Sequence, residues 1–356
     1  MASELVVPIV ELKNVRKHPN ADALDLAEVL GYQVCLPKDK YKEGSVCVYF
    51  PSDTLISDEW ADKFGVKKFL RGKDNDRVGR IRLRGEPSFG LVVDLPDDNV
   101  SWVVGTNLAE YYGAKKYEPP IKPSGGDDAP YDERIDPFFY EYTDIQNGRL
   151  FTDIFKEGEE VVVTEKIHGR NNRVGVINNS IVAGSHTRRK TRPLFQDAEE
   201  ESLIIKHNLN WMPQSILGVF NLLLGRLDNV IIYGEVYGGS VQSLHYGIEK
   251  NKGLGYRAFD ISINGQYLEW DKFKALCNEY SIDTVPVLYR GPFSMNKMKE
   301  LSDGKSMIDG ADNMREGIVV KPIKERTHPK IGRVILKYIS TEYELSKHKD
   351  EDTTDV

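Results

Sequence analysis

The sequence predicts an α+β protein made of two modules, and three observations support that class. Short strand-type runs separated by glycine and proline turns fill the first 117 residues, where helical periodicity is weak. A stretch rich in proline, glycine and acidic residues follows at 118–140. Beyond it, strand-type runs alternate with helical segments, so the second module is expected to be built on largely antiparallel sheets with flanking helices.

The predicted domain limits follow from this pattern. An N-terminal module spans 1–117, a linker 118–140, a second domain 141–346 and a polar tail 347–356. A chain of 356 residues is long enough to bury two ordinary cores. The N-terminal module is predicted to be a small β-barrel or sandwich, from the runs VVPIVELKNV, DLAEVLGYQVCLP, GSVCVYFP, VGRIRLRG and FGLVVDLP. An oligonucleotide-binding (OB) fold fits this pattern, and an SH3-like barrel fits as well.

Composition narrows the class of protein. Hydrophobic residues make up 40% of the chain and charged residues 29%, as in a soluble globular protein. No apolar run approaches the ~20 residues of a membrane-spanning helix, so no membrane partner is expected. The three cysteines lack ligand spacing, and with no signal-peptide pattern they predict the cytoplasm or another reducing intracellular compartment.

Positive charge is concentrated locally although the net charge is −7 at pH 7. One basic cluster lies between Lys67 and Arg84, and a second, HTRRKTR, spans 186–192. Local positive fields bind phosphate backbones, so both clusters are candidates for nucleic-acid contact. Taken alone, the two clusters are better explained as solvated surface charge balanced by nearby acids.

A lysine at the end of a strand carries the chemical signal. The run VVVT enters Glu165-Lys166 directly, and a lysine amine becomes a nucleophile when burial or a neighbouring cation lowers its pKa. Four further strand-type segments also deliver a charged or aromatic side chain at an end or kink. These side chains are Glu235, Phe259, Asp260, Glu316, Lys321 and Lys337.

Together these segments resemble a known superfamily. Lys166-Ile167-His168-Gly169, GEVYGG, AFDI, EGIVVK and ILKY, in this order, are similar to motifs I, III, IIIa, IV and V of covalent nucleotidyltransferases. That superfamily comprises polynucleotide ligases and mRNA capping enzymes. The form TEKIHG with a following asparagine resembles the RNA ligase 2 group, and the N-terminal OB-like module resembles the RNA ligase 5 type. The resemblance implies an ATP-dependent RNA ligase whose second domain is the nucleotidyltransferase (adenylation) domain.

The resemblance also implies catalytic roles. Lys166 would attack the α-phosphorus of ATP and carry AMP, which would pass to a 5′-phosphate before a 3′-hydroxyl closes the phosphodiester. Lys321 and Lys337 would neutralise the phosphate, helped by Mg²⁺ or Mn²⁺. His168 would serve catalysis, and the alternative for it is a structural hydrogen bond.

Other residues would hold the nucleotide and the metal, again by resemblance. Glu165 would face the adenine edge, and Glu235 would hold the ribose hydroxyls. Phe259 and Val319 would cover the two adenine faces. Metal water would be bound by Glu316 and by Asn171, the latter alternatively contacting the ribose.

The sequence departs from the RNA ligase pattern at two places. Ser185-His186-Thr187-Arg188 stands where relatives carry Arg-Thr in motif Ia, so either His186 replaces the arginine or Arg188 covers for it. We favour Arg188 as the phosphate contact. Motif V reads Lys337-Tyr338-Ile339 where many relatives have a second lysine.

The expected partner is nicked or double-stranded RNA, including an RNA/DNA hybrid, bound by a monomer. Two alternatives remain: a DNA ligase or capping-type nucleotidyltransferase, and a non-catalytic RNA-binding protein with a decayed ligase domain. Most DNA ligases and capping enzymes carry their OB domain after the catalytic one. Only 19 residues follow Lys337, too few for such a domain, which favours the RNA ligase.

Overall fold

A computed structural model describes residues 4–98, 100–118, 136–225, 229–250, 252–346 and 352–353. The chain divides into two compact units. Unit 1 comprises 1–121, 146–152 and 341–356, and unit 2 comprises 122–145 and 153–340. Most of the predicted linker and tail lie outside the described residues, so the sequence-based domain limits stay predictions.

The strands are short and mostly antiparallel. In chain order they are β1 (Ile9–Glu11), β2 (Lys13–Lys17), β3 (Leu24–Val29), β4 (Tyr32–Pro37), β5 (Val46–Phe50), β6 (Thr54–Leu55), β7 (Arg80–Leu83), β8 (Glu86–Phe89), β9 (Leu91–Val93), β10 (Lys115–Lys116), β11 (Gln146–Asn147), β12 (Glu160–Lys166), β13 (Arg170–Ile177), β14 (Ser180–Gly184), β15 (Arg189–Lys190), β16 (Val230–Tyr237), β17 (Gly255–Ile263), β18 (Gln266–Tyr267), β19 (Val287–Pro292), β20 (Gly317–Pro322), β21 (Thr327–His328), β22 (Gly332–Arg333), β23 (Leu336–Ile339) and β24 (Asp352–Thr353).

Six α-helices accompany these strands in the described part of the chain. They are α1 (Asp58–Lys63), α2 (Ala198–His207), α3 (Leu217–Leu223), α4 (Trp270–Glu279), α5 (Met295–Ser302) and α6 (Thr341–Ser346). The segments AEEESLIIKHNL and DKFKALCNEYS, whose patterns predict helices, correspond to α2 and α4. Asp197 is the N-cap of α2, because its carboxylate accepts hydrogen bonds from the backbone N–H groups of Glu199 and Glu200.

Unit 1 is a small β-rich body. Its strands pair in the orders β1-β5-β9, β2-β3-β4, β24-β7-β8 and β10-β6, and these pairings do not close into a ring among the described residues. Alternating apolar residues of the strands supply two core clusters, one around Val48 and Phe50 and one around Val34 and Tyr49.

Helix α6 is tied to unit 1 by a half-buried ion pair. Arg80 donates from Nη2 to Asp53 at 3.0 Å and to Glu344 at 3.1 Å. The Glu344 side chain is 12% exposed, so its carboxylate is largely removed from water. Loss of that charge leaves Arg80 with only one carboxylate partner.

We therefore expect Glu344→Gln to lower the free energy of unfolding by about 1–3 kcal/mol, the usual range for a hydrogen bond to a charged group. Urea unfolding measures the change. Glu342→Gln on the same helix is the control, because Glu342 is exposed and its substitution should change stability by less than about 0.5 kcal/mol. Equal effects of the two substitutions would contradict a stabilising role for the Arg80–Glu344 pair.

Two large antiparallel sheets form the described part of unit 2, beside the short hairpin β21–β22. Six strands pair in the order β15-β14-β13-β16-β17-β18, and four further strands pair in the order β23-β20-β12-β19. The two-residue turn between β13 and β14 uses Asn178 and Asn179, both with positive φ, as a tight hairpin requires. Val162 of one sheet and Val174 and Val236 of the other belong to one buried apolar cluster, so the two sheets pack against each other.

Two further findings bear on the sequence analysis. None of the described helices is long and apolar enough to cross a membrane. Cys35, Cys47 and Cys277 are all free thiols.

Candidate active site

The register of three neighbouring strands brings the predicted motif residues to one sheet face. Paired residues of neighbouring strands point to the same face. Lys166 of β12 pairs with Gly317 of β20, Thr164 with Val319, and Val162 with Lys321. Val319 in turn pairs with Lys337 of β23. Lys166, Val319, Lys321 and Lys337 therefore share the face that packs toward the six-stranded sheet.

Two carboxylates meet at the end of β12. The Lys166 ammonium lies 2.9 Å from Glu316 Oε1, and His168 Nδ1 lies 3.4 Å from Glu316 Oε2. The backbone N–H of Gly169 donates to Glu235 Oε1 at 3.1 Å. Glu235 pairs in register with Asn171 across β16 and β13. Motifs I, III and IV thus converge at Lys166.

The mutual charges of Lys166, Glu316 and Glu235, together with their burial, shift the pKa of each of the three side chains. Burial opposes the ammonium of Lys166, but the nearby charges of Glu316 and Glu235 outweigh it and raise its pKa. Burial would raise the pKa of Glu316, but Lys166 and His168 lower it to about 2. Burial raises the pKa of Glu235 to about 8 despite the charge of Lys166. The sequence analysis required a lowered lysine pKa, whereas in this structure the carboxylates stabilise the ammonium.

Gly169 is required by close packing. A Cβ at this position would lie 2.2 Å from the carbonyl oxygen of Val236 and 2.9 Å from Cγ of Glu235. The bare backbone is what lets its N–H reach the Glu235 carboxylate. The glycine of motif I therefore links the turn after Lys166 to motif III.

We expect Gly169→Ala to displace this turn and to slow any reaction of Lys166 by roughly 100-fold, the cost of a misplacement near 1 Å. Rapid-quench measurement of protein adenylylation tests this. Gly158→Ala is the control: its φ is +83° but its Cβ meets no atom within 4 Å, so backbone strain is added without a clash. An equally slow Gly158→Ala protein would contradict the packing argument.

The apolar residues predicted to hold the base also come together. Phe259 and Val319 both pack on a buried cluster that contains Tyr142, Tyr233 and Ile335. Phe259 lies at a register shift of β17, where Tyr233 pairs with Asp260 but Gly234 pairs with Ala258. Such a bulge redirects a side chain away from the regular alternation. This explains how Phe259 joins Val319 at the same cluster.

Glu165 lies on the other face of β12. Its side chain is buried, and Oε2 accepts the backbone N–H of Met307 at 2.7 Å. Its Oε1 has no hydrogen bond within the described part of the chain. Burial raises the pKa of this carboxyl. A contact to an adenine edge stays a prediction for it.

Lys321 takes part in a buried network that the sequence analysis did not identify. Its ammonium lies 2.7 Å from Asp260 Oδ1 and donates to the carbonyl oxygen of Phe259 at 2.9 Å. The other Asp260 oxygen accepts from Arg333 at 3.0 Å and from the Tyr142 hydroxyl at 2.5 Å. Lys321 therefore neutralises a carboxylate in this structure, and its phosphate contact stays a prediction.

The two positions at which the sequence departs from the RNA ligase pattern, one in motif Ia and one in motif V, lie in different parts of unit 2. Arg188 is exposed and His186 half-buried in the turn between β14 and β15, and the phosphate role of Arg188 stays a prediction. Ile339 pairs with Gly317, so it lies on the same sheet face as Lys166. A hydrophobic side chain thus occupies the position where relatives place a second lysine.

Two residues of the 243–247 turn also contact motif I. The backbone N–H of His168 donates to the Tyr246 hydroxyl at 2.6 Å, and Ser243 Oγ lies 3.3 Å from His168 Nε2. In the sequence, SVQSLHYG resembles an ordinary loop. Only the positive φ of Tyr246 and its burial, both structural facts, distinguish it.

The donors at this site suit a metal held partly by water. Among the described residues, no group of three or more His, Cys, Asp or Glu side chains forms a metal cluster. Glu316 supplies hard carboxylate oxygens, and the buried Oδ1 of Asn171 has no hydrogen bond within the described ranges. Mg²⁺ commonly takes one or two such ligands and fills its shell with water and phosphate oxygens.

Comparison with known proteins assigns both units. A family model described as RNA ligase matches residues 159–339, and one described as an OB-fold domain matches 6–95. A variant of Naegleria gruberi RNA ligase without ligand is 23% identical, covers 98% of this chain and 100% of its own, and has a TM-score of 0.71. The same ligase with PPi is 24% identical, with coverages of 98% and 99% and a TM-score of 0.70. Another variant, with ATP and Mn, is 24% identical, with coverages of 98% and 100% and a TM-score of 0.70.

The RNA ligase model covers half of the chain, so this protein belongs to the RNA ligase family. The predicted α+β class and the N-terminal OB fold are confirmed. Together the two domains indicate a protein that binds RNA. The comparison with curated proteins gives no significant match.

Proposed function

We propose that this protein is an ATP-dependent RNA ligase that seals nicks carrying a 3′-hydroxyl and a 5′-phosphate through a lysyl-AMP intermediate. One observation carries the proposal: Lys166, at the end of β12, lies 2.9 Å from Glu316, next to the carboxyl of Glu235. The family match supports the RNA substrate. The ATP in the solved Naegleria gruberi ligase supports the choice of nucleotide.

In the first step the Lys166 amine attacks the α-phosphorus of ATP. An N–P bond forms, the bond between the α-phosphorus and the bridging oxygen breaks, and pyrophosphate leaves. The ammonium must first release a proton to solvent, and the carboxylate of Glu316 opposes this while it pairs with Lys166. Weakening of the Lys166–Glu316 pair therefore favours attack.

The second and third steps use the same centre. The 5′-phosphate oxygen of the nick attacks the phosphorus of lysyl-AMP, the N–P bond breaks, and the amine of Lys166 is regenerated. The 3′-hydroxyl then attacks the 5′-phosphate, and AMP leaves. All three steps are phosphoryl or nucleotidyl transfers, so positioning and charge neutralisation carry most of the catalysis.

The residues around Lys166 have distinct proposed tasks. Phe259 and Val319 hold the adenine between apolar surfaces. Glu235, whose pKa is raised by burial, holds a ribose hydroxyl. Lys337 on the same sheet face neutralises phosphate charge. Mg²⁺ or Mn²⁺, held through water by Glu316 and Asn171, supplies further charge neutralisation when bound.

The OB-fold unit is proposed to bind the RNA beside the nick. Its basic segment between Lys67 and Arg84 suits a phosphate backbone. We also propose that the protein acts as a monomer, which this chemistry permits, and works in a reducing intracellular compartment, which suits its three free thiols.

Incubation with α-labelled ATP and Mg²⁺ or Mn²⁺ tests the proposal. We expect label that stays on the denatured protein, is stable to base and labile to acid as a phosphoramidate is, and is absent from Lys166→Ala. Persistent labelling of Lys166→Ala would exclude the mechanism. Labelling by GTP alone would indicate a capping-type enzyme, and no labelling at all a decayed ligase.

A panel of nicked duplexes, with RNA or DNA placed separately on each side, defines the substrate. We expect sealing to require RNA at the 3′-hydroxyl side or the 5′-phosphate side of the nick. Equal sealing of an all-DNA nick would instead make the protein a general polynucleotide ligase.

A further inference from the structure

One turn outside the five motifs contacts the segment that carries the nucleophile. The backbone N–H of His168 donates to the hydroxyl of Tyr246 at 2.6 Å, and His168 is two residues after Lys166. From the same turn, Ser243 Oγ lies 3.3 Å from His168 Nε2. Both the backbone and the imidazole of His168 are thus held by residues 243–246.

This turn is itself anchored on the segment that precedes Glu316. The backbone N–H of Tyr246 donates to Asn313 Oδ1 at 3.1 Å. Gly247 packs so tightly that a Cβ would lie 2.4 Å from the carbonyl oxygen of Gly310. The turn therefore connects motif I, which contains Lys166, to the segment that leads into motif IV, which contains Glu316. Lys166 and Glu316 are the two partners of the ion pair at this site.

The backbone of Tyr246 is held in an unfavourable conformation. Its φ is +50°, in the left-handed region that a bulky side chain rarely adopts. Such strain persists where the surrounding contacts require that residue, and it clusters at functional sites. Here the ring packs at 5.2 Å from the Tyr237 ring and in a buried cluster with Ile167, while the hydroxyl reaches His168.

The hydroxyl stays a neutral acceptor. Burial raises the pKa of Tyr246 well above its ordinary value, so the phenol does not ionise at any working pH. A phenylalanine at this position would fill the same space but would leave the His168 N–H without its partner. That substitution would therefore remove the hydrogen bond to motif I while it keeps the packing of the ring against Ile167 and Tyr237.

From these contacts we propose that Tyr246 is a positioning residue: its hydroxyl fixes the Lys166–Gly169 turn relative to Glu316, and so sets the line of attack of the lysine amine on the nucleotide phosphorus. The inference rests on the proposed ligase function. It adds a residue outside the five motifs that acts through the backbone of His168.

Tyr246→Phe tests it, with Tyr49→Phe as the matched control. Tyr49 is a buried tyrosine of unit 1, outside the five motifs, and its hydroxyl donates to the backbone carbonyl oxygen of Phe89 at 2.8 Å. The rate constant of lysine adenylylation is measured at saturating ATP by rapid quench, together with the ATP concentration for half-maximal rate and the Tm of each protein.

We expect Tyr246→Phe to lower the rate constant roughly 10- to 100-fold, as a small misplacement of a reacting group does. The half-maximal ATP concentration should change less than about threefold, because no nucleotide contact is removed. Tyr49→Phe should keep the rate constant within about twofold. The two variants should unfold within about 4 °C of each other.

Two results overturn the inference. One is a Tyr246→Phe protein that is adenylylated as fast as Tyr49→Phe. The other is a loss confined to the half-maximal ATP concentration, which would make Tyr246 a binding residue. Failure of the unsubstituted protein to be labelled at all is a separate outcome, and it rejects the ligase function itself.

Discussion

Lys166→Arg should abolish labelling of the protein by α-labelled ATP and reduce sealing of a 5′-phosphate nick more than about 1000-fold, as loss of a covalent nucleophile does. Arginine keeps a positive charge that can pair with Glu316, which lies 2.9 Å from the lysine ammonium. A guanidinium cannot be deprotonated in a protein, so it cannot become the attacking amine. The substitution thus removes nucleophilicity while it retains the ion pair.

A pre-adenylated nicked RNA serves as the control for this variant. It already carries AMP on the 5′-phosphate, so its sealing needs no lysyl-AMP. We expect Lys166→Arg to seal it at a measurable rate, which shows that the fold and the RNA site are intact. Label on Lys166→Arg, in contrast, would mean that another residue carries the nucleotide.

Asp260→Asn should lower the free energy of unfolding by about 3–5 kcal/mol, the range for breaking a buried ion pair on one side. Asp260 is fully buried and neutralises both Lys321, at 2.7 Å, and Arg333, at 3.0 Å. Burial opposes its ionisation, but Arg333 and Lys321 outweigh this and lower its pKa. An isosteric amide leaves two buried cations without that charge.

Chemical denaturation in urea measures this effect, with Asp271→Asn as the control. Asp271 pairs with Arg290 at 2.7 Å, but both side chains are at least half exposed, so the loss should stay below about 1 kcal/mol. We also expect Asp260→Asn to slow adenylylation, because Phe259 precedes Asp260 on the bulge of β17. A stability loss no larger than that of the control would contradict the network's structural role.

The sequence predicted the strands of the site well because they are apolar and end in charged residues. Runs such as VVVT and IIYG are buried on both faces of their sheets. A continuous run of β-branched and other apolar residues is typical of such a buried strand, which is why the sequence indicates it. The segment NRVGVINNSIVAG forms the hairpin β13–β14, whose turn is encoded by its two adjacent asparagines. The strand β19 (Val287–Pro292) was missed because it alternates little and is half exposed.

Site residues were predictable where they fall in a motif, and not where the contact is long-range. Lys166, Glu235 and Glu316 stand within short patterns, and the structure brings them together. Tyr246 and Arg333 have no such pattern, and their partners lie 78 and 73 residues away in the sequence. Nothing local in the chain indicates those contacts.

The amino-acid sequence by itself indicated Lys166 as the candidate nucleophile, the order of the motifs and the two-module α+β class. Apolar periodicity and motif spacing are local properties of the chain, so they can be recognised without the fold. Only the tertiary structure decided the protonation and pairing of those residues. It placed Glu316 and Glu235 beside Lys166, so that the lysine pKa is raised where the sequence analysis required it lowered. It also bound Lys321 to Asp260. Burial and charge at a site depend on strands that are distant in the chain, and these are settled only when the sheets pack.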